Sequence, residues 1–300
     1  MNILITGSNG FLAKELISRL EKNSKYTLYI TNRQTLDILD PDAVEQFFSK
    51  NSIDIVLHCA VSGGRRTQSY TSDIVHKNIL MFENLAQYRN RYKLMINFGT
   101  AAEFDKTKNI DQFTEHDFIL HNNIPKDYYG FSKYIIARRI DHINSNIINL
   151  RIFNVFGEFE ALDRMIKNNI IKYLKRQPLE IHRNRYMDFF GPNDMFTVVE
   201  YILNNTTDIL DQLKHFFMKG KITKSINMCY EKKHSLMDVA SIINSLNEHT
   251  VPLHGMINIA SLQDPAYCGN GAKLSSLNLK LLGLEQEINN MYQTLKRSYE

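Results

Sequence analysis

Cysteine is scarce: Cys59, Cys229 and Cys268 are the only three in 300 residues. They are odd in number, far apart and without metal-ligand spacing, which excludes a disulfide framework and a cysteine-based metal centre and suits structural thiols in a reducing cytosol. Long apolar runs are missing too. None approaches the roughly 18 residues of a membrane-crossing helix, and the start, Met1-Asn2-Ile3-Leu4-Ile5-Thr6-Gly7, lacks the basic and apolar regions of a leader. The expectation is a cytoplasmic protein, neither secreted nor membrane-associated. Charge of one sign is not concentrated either: the net charge is +4 with no long basic block. Nucleic-acid binding therefore has no electrostatic footprint, while anionic small molecules remain suitable ligands. Repeats, low-complexity tracts and obvious linkers are absent.

What is present is the composition of an ordinary globular protein, 43% hydrophobic and 23% charged, in a chain long enough for one large domain or two closely joined ones. Residues 2–6 read as a short buried strand. Gly7-Ser8-Asn9-Gly10-Phe11-Leu12-Ala13 then opens an apolar-periodic helix that runs to about Glu21. Strand, glycine turn and helix in that order make a dinucleotide site: glycines let the backbone approach a pyrophosphate, Ala13 permits close packing, and the helix N-terminus offers free N–H groups. The spacing Gly-x-x-Gly-x-x-Ala departs from the more common Gly-x-Gly-x-x-Gly.

A second strand, Tyr26–Ile30, ends at Thr31-Asn32-Arg33. NAD-binding folds usually place a carboxylate there for the ribose 2′-hydroxyl. Arg33 can instead grip a 2′-phosphate, which favours NADP(H), with NAD(H) as the alternative. Asp40 and Pro41 open the next helix, with Asp40 either capping it or contacting adenine. Asp54–Ala60 is a further strand, in which His58 reads as a core residue. Ala60 and the turn Val61-Ser62-Gly63-Gly64 follow at its carboxyl end, where ligands of open parallel sheets bind. A helix from about Ser72 to Tyr88 precedes the strand Lys93–Phe98, which delivers Gly99-Thr100-Ala101-Ala102 to the same edge.

Tyr129 and Lys133 lie four residues apart on one helix, so a phenol and an ammonium face the same way. A fixed cation beside a phenol lowers its pKa from about 10 toward the range of proton transfer at neutral pH. The polar stretch Asp105–Asp127 before this helix reads as irregular, a flexible wall for the site. The strand Ile147–Phe153 and turn Asn154-Val155-Phe156-Gly157 complete an alternation that predicts an α/β, doubly wound Rossmann-type parallel sheet with a smaller C-terminal substrate-binding lobe. The expected division puts residues 1–157 and 188–230 in the dinucleotide-binding domain, and 158–187 and 231–300 in the lobe.

The glycine turn, Thr100 and Tyr129-x-x-x-Lys133, in this order and at these distances, resemble the extended short-chain dehydrogenase/reductases that act on nucleotide sugars. Leu28–Asp40, Cys59–Gly64, Arg151–Gly157, Met187–Asp194, Asp264–Tyr267 and Leu281–Gly283 are further marks, nearest in pattern to the GDP-fucose synthase branch. The resemblance covers nearly the whole chain. It implies Tyr129 as proton donor or acceptor, Lys133 as the residue that binds the nicotinamide ribose and lowers the Tyr pKa, and Thr100 as hydrogen-bond partner of the reacting oxygen. It also implies Asn78 near the nicotinamide and Asn154 on the substrate diphosphate, either of which can instead be a satisfied loop amide. A homodimer packed through the helices near 72–88 and 129–144 is expected on the same ground.

Departures from the family pattern narrow the expected reaction. Ala101 and Ala102 stand where sugar 4,6-dehydratases carry Asp-Glu, and Ala102 also replaces the cysteine with which GDP-fucose synthase epimerises. The partner histidine aligns near Asn168 or Asn169, neither of which is a base at neutral pH. Met187 replaces an arginine that often binds a substrate phosphate, which leaves Arg183 or Arg185 to supply that charge. The expectation is an NADP(H)-dependent reductase of a nucleotide-linked 4-keto-6-deoxy sugar with no metal. The alternatives are an NAD-dependent C4 epimerase or dehydrogenase, and a non-catalytic cofactor-binding protein.

Overall fold

Short runs of β-branched and leucine side chains, buried on both faces, make parallel strands. Such runs build the first of two units in the computed structural model, which describes residues 1–64, 69–120, 123–143, 145–211, 223–247, 249–254 and 265–299. Asp264 and Asn144, at the edges of two expected features, lie outside the described residues. Contacts divide the chain into a unit of residues 1–105, 115–152 and 199–226, and a unit of residues 106–114, 153–198 and 227–300.

The strands β1 (Asn2–Thr6), β2 (Thr27–Ile30), β3 (Ile55–His58), β4 (Leu94–Thr100), β6 (Ile147–Ile152) and β8 (Ser225–Met228) form one sheet in the order β2-β1-β3-β4-β6-β8. The pairs β1–β2, β1–β3, β3–β4 and β4–β6 are parallel. Ile3, Leu4, Ile5, Ile55, Val56 and Leu57 have no exposed surface. The helices α1 (Phe11–Leu20), α2 (Pro41–Lys50), α3 (Asp73–Ala86), α4 (Asp117–Leu120) and α5 (Tyr128–His142) complete the alternation that the sequence predicts. Because β2 and β3 leave β1 on opposite sides, the chain reverses its winding there and opens a crevice at the strands' carboxyl ends. Gly7 fills the base of that crevice with φ at +70°.

Asp40 starts α2 as a cap, its Oδ1 accepting from Asp42 N at 3.0 Å and Ala43 N at 3.4 Å. Of the two expected roles of Asp40, capping is the one these bonds show. The described residues of the stretch 105–127 also hold more regular structure than expected. Within it lie β5 (Ile110–Phe113), which pairs with β10 (Tyr267–Gly269), and α4, whose Phe118 is buried. Polar composition concealed both because each contains only one or two buried side chains.

The second unit packs α6 (Met165–Leu174), α8 (Leu236–Asn244) and α10 (Leu284–Tyr299) around an apolar cluster that includes Phe156, Ile170, Tyr173, Met187, Val239 and Ile288. A short pair, β7 (Leu179–Glu180) with β9 (Leu253–His254), lies in the same unit. The helices α7 (Pro192–Asn204) and α9 (Ala272–Ser275) complete the described elements. Residues 153–157 and 188–198 belong here and not with the sheet, because Val155 pairs with Phe190 and Phe156 enters this cluster. The buried Glu287 accepts from Asp194 N at 2.7 Å and Asn193 Nδ2 at 2.8 Å. Asp194 in turn accepts from the Tyr230 hydroxyl at 2.6 Å, which links Tyr230 to the start of α7 within this unit. Among the described residues, no helix is long and apolar enough to cross a membrane.

Gly7 cannot accept a side chain without strain: its φ is +70°, and a Cβ there would lie 2.6 Å from Ala60 Cα and 2.8 Å from Ala60 N. Both are backbone atoms and cannot swing aside. Gly7→Ala is expected to destabilise the fold by about 1–3 kcal/mol, read as a lower urea midpoint; an unchanged midpoint contradicts the crevice geometry.

Candidate active site

The crevice presents backbone where a pyrophosphate needs it. Gly10 is the N-cap of α1 and makes no side-chain cap, so the first-turn N–H groups remain available to an anion. The close seat of Gly7 on Ala60 holds Ser8, Asn9, Gly10, Phe11 and Leu12 in one turn beside the end of β3. A cradle that a Cβ would fill, open to a helix N-terminus, fits a dinucleotide. Further out, Asn32 Oδ1 accepts from Gln34 N and Thr35 N at 2.8 and 3.2 Å, shaping the turn that carries Arg33. The Arg33 side chain is 78% exposed and donates from Nε to Asp37 Oδ2 at 3.3 Å. So exposed an ion pair holds the guanidinium only weakly, which leaves it able to turn to a phosphate.

Thr100 ends β4 and Tyr129 sits in the first turn of α5, which Asp127 caps by accepting from Gly130 N at 2.9 Å. The structure brings the two hydroxyls together in a hydrogen bond, which favours the phenolate. Burial opposes it and is the larger effect: the Tyr129 phenol is pushed up to about 12, with Glu103, Asp127 and Tyr70 adding to the rise. Gly63 and Gly64, with φ of +95° and +88°, lie against the same ring; a Cβ on Gly64 would be 3.3 Å from Tyr129 Cζ.

Lys133 departs from the expected role of lowering that phenol. Its ammonium donates to the Phe98 carbonyl at 2.9 Å and is itself depressed to about 8 by burial, an effect opposed by Glu103 and Cys59. The side chain runs inward to the end of β4, so the phenol's environment is set by desolvation. His58, buried beside Thr6 with Nδ1 and Oγ1 3.0 Å apart, is lowered to about 3 by desolvation and then by Lys133, as suits a neutral core histidine.

Asn78 is a satisfied amide. Its Oδ1 accepts from Ser62 N at 2.7 Å, and its Nδ2 donates to Ser62 O and to Ser132 Oγ, each at 2.9 Å. It joins the Ser62 turn to the helix of Tyr129 and is a positioning residue. Of the two expectations for Asn78, these bonds are those of the satisfied amide.

Sequence reasoning missed the group beneath Thr100. Glu103 has its side chain 1% exposed and Arg151 0%, and Arg151 Nε donates to Glu103 Oε2 at 2.7 Å. Glu103 Oε1 accepts from Thr100 N at 3.0 Å and Asn149 Nδ2 at 3.1 Å. The Arg151 guanidinium lies over the rings of Phe104 and Phe118, at 5.0 and 4.6 Å from their centroids, and donates from Nη2 to Ser225 Oγ at 3.3 Å. The available signal was Thr100-x-x-Glu103, a capping-box pattern, which the structure realises.

In the second unit, Asn154 Nδ2 donates to Asp188 O at 2.8 Å, which accounts for that amide as a loop tie. Arg185 Nη2 lies 3.6 Å from Met187 Sδ, and Met187 is buried in the apolar cluster. Arg183 is exposed. Asn169 Nδ2 donates to the Met165 and Glu180 carbonyls, and Asn168 Nδ2 to Glu180 Oε2. These two asparagines fasten β7 to α6.

Over its full length the chain is 21% identical to GDP-6-deoxy-D-talose 4-dehydrogenase of Aggregatibacter actinomycetemcomitans, covering 97% of that protein. A stretch of 108 residues, 35% of this chain and 34% of that one, is 26% identical to GDP-L-fucose synthase of Escherichia coli K12. The GDP-mannoheptose C4 reductase of Campylobacter jejuni, solved with NADP bound, superposes with a TM-score of 0.77 at 18% identity, covering 98% of each chain. That likeness supports the fold. Residues 3–212 match the model of the NAD dependent epimerase/dehydratase family. The extent of that match, over the unit that carries the glycine turn, Thr100 and Tyr129, makes this chain a member of that family.

Proposed function

We propose that the chain is an NADP(H)-dependent reductase of a nucleotide-linked 4-keto-6-deoxy sugar. The observation that carries this reading is the Tyr129 hydroxyl hydrogen-bonded to Thr100 at the end of β4, with the buried methyl groups of Ala101 and Ala102 next along the chain. At neutral pH the phenol holds its proton and is poised to give one, the role a reduction requires. When bound, the nicotinamide supplies hydride to the carbonyl carbon. Thr100 and Tyr129 then stabilise and protonate the oxygen on which charge develops. The turn from Gly7 to Leu12 would hold the pyrophosphate, Lys133 the ribose and Arg33 a 2′-phosphate, and Arg183 or Arg185 would supply the charge for the substrate diphosphate.

Ala101 and Ala102 are buried methyl groups where dehydration or epimerisation would need an acid, a base or a thiol, which supports simple reduction. The two curated relatives and the superposed reductase all carry GDP-sugar names, which supports a nucleotide-sugar substrate. A homodimer through α3 and α5 accompanies this reading and is tested by sedimentation. One observation favours a second reading, a C4 epimerase or dehydrogenase holding NAD: the Arg33 guanidinium pairs with Asp37, a carboxylate four residues on. Extraction of the cofactor from the purified protein separates the two.

NADPH mixed with GDP-, dTDP-, UDP- and CDP-linked 4-keto-6-deoxy sugars is expected to be oxidised with at least one of them; no oxidation with any rejects the reductase. Tyr129→Phe is expected to lower kcat about 10²–10⁴-fold with cofactor affinity little changed, and undiminished turnover contradicts the proton-donor role. Arg33→Asp removes the charge-assisted grip and is expected to shift preference toward NAD by about 10–100-fold. Equal discrimination before and after that substitution excludes Arg33 from the 2′-phosphate.

A further inference from the structure

Glu103 and Arg151 are the most deeply buried opposite charges in the first unit's site, and neither is needed by the chemistry proposed above. They meet at 2.7 Å with essentially no exposure. The carboxylate uses its other oxygen on Thr100 N, at 3.0 Å. Space has been kept for it: a Cβ on Gly99 would lie 2.2 Å from Glu103 Oε1 and 2.3 Å from Asn149 Oδ1. The residue preceding the site threonine is therefore a glycine because a carboxylate occupies the volume of its side chain. A capping box alone would not demand this, since such caps serve equally well at exposed helix ends.

We propose that Glu103 is a positioning residue for the hydride site, holding Thr100 through its backbone N–H and setting one buried carboxylate, paired with Arg151, beneath Tyr129 and Lys133. The proposal deepens the reductase reading, and rests on it for the roles of Thr100 and Tyr129. The charged and titratable groups around the pair are few. Arg151 and Asn149 come from β6, and Tyr129, Lys133 and Asp141 from α5. Ser225 comes from β8. Tyr129 also faces Asp127 and Tyr70, and Lys133 faces Cys59 and His58. Among these, Glu103 alone acts on both members of the Tyr–Lys pair. Its charge holds the proton on the phenol and on the ammonium, and so opposes the loss of charge that burial imposes on Lys133.

Two variants test this. Glu103→Gln keeps an acceptor for Thr100 N and removes the charge. The double variant Glu103→Gln/Arg151→Gln removes both charges, so that no uncompensated ion is left buried. The first readout needs neither cofactor nor substrate: the titration of Lys133 Nζ followed by NMR of isotopically labelled lysine, with the resonance assigned by its loss in Lys133→Met. In each folded variant the ratio of ammonium to amine at fixed pH near the midpoint is expected to fall about three- to tenfold. The second readout is the pH profile of kcat, whose alkaline limb is expected to move to lower pH because the phenol loses its proton more easily. Arg151→Lys, which keeps the pair charged, is expected to leave both readouts as in the unaltered protein.

An unmoved Lys133 titration in a folded variant overturns the proposal. So does failure of both the single and double variants to fold, since the pair is then a requirement of the fold alone. Where the titration moves but no sugar nucleotide is reduced, the positioning role stands and the reductase reading fails. Turnover with an unmoved titration gives the reverse.

Discussion

A carboxylate and a guanidinium with no access to water are the constraint around which the first unit is arranged. Removing two such ions from solvent costs several kcal/mol each, and their mutual attraction offsets this only with good geometry and further hydrogen bonds. Glu103 and Arg151 meet that condition through Thr100 N, Asn149 Nδ2 and Ser225 Oγ, with Phe104 and Phe118 covering the guanidinium faces. Loss of either partner would leave an unpaired buried charge, at a cost of about 3–5 kcal/mol. The ends of β4 and β6, the turn after Thr100 and the helix carrying Phe118 are therefore tied to one another by electrostatics as well as by apolar packing.

Proton handling at the site follows from the same dryness. Burial drives both titrating groups toward neutrality, Tyr129 by raising it and Lys133 by lowering it to about 8. A neutral phenol is a proton donor, which accords with reduction of a carbonyl. Lys133 spans α5 to the end of β4 by its bond to the Phe98 carbonyl, and Asn78 spans α3 to both the Ser62 turn and Ser132. These two ties set where the helix of Tyr129 sits against the sheet, and so where its hydroxyl meets Thr100.

The legible parts of the chain were those encoded locally. The strand, Gly7 turn and helix, the Asp40–Pro41 helix start, and the four-residue spacing of Tyr129 and Lys133 each occupy one short stretch, and the sheet follows from their alternation. Features that depend on distant partners were not legible. Glu103 and Arg151 are 48 residues apart, and nothing in either neighbourhood shows that both are buried. The partner of Asn78, Ser62, lies 16 residues away and is an ordinary turn residue in sequence, so the resemblance to the family leaves open whether that amide meets the nicotinamide or the loop. The direction of the Tyr129 shift was misjudged for a related reason: spacing places a lysine on the same helix face, but burial depends on what packs over that face, including Gly63 and Gly64 from another loop. The division into units was displaced at 153–157 because Phe156 follows a sheet strand in sequence yet packs into the second unit's cluster.

The central claim is that this site moves hydride to a sugar carbonyl with Tyr129 supplying the proton. Its most direct test is a single turnover with NADPH carrying deuterium at C4 of the nicotinamide, one isotopic face at a time, followed by NMR and mass spectrometry of the sugar nucleotide. The account predicts deuterium from one face only, on the carbon that was the ketone, with no exchange of solvent deuterium into C3 or C5 when the reaction is run in heavy water. Label retained by the cofactor, or solvent deuterium at C3 or C5, would contradict it.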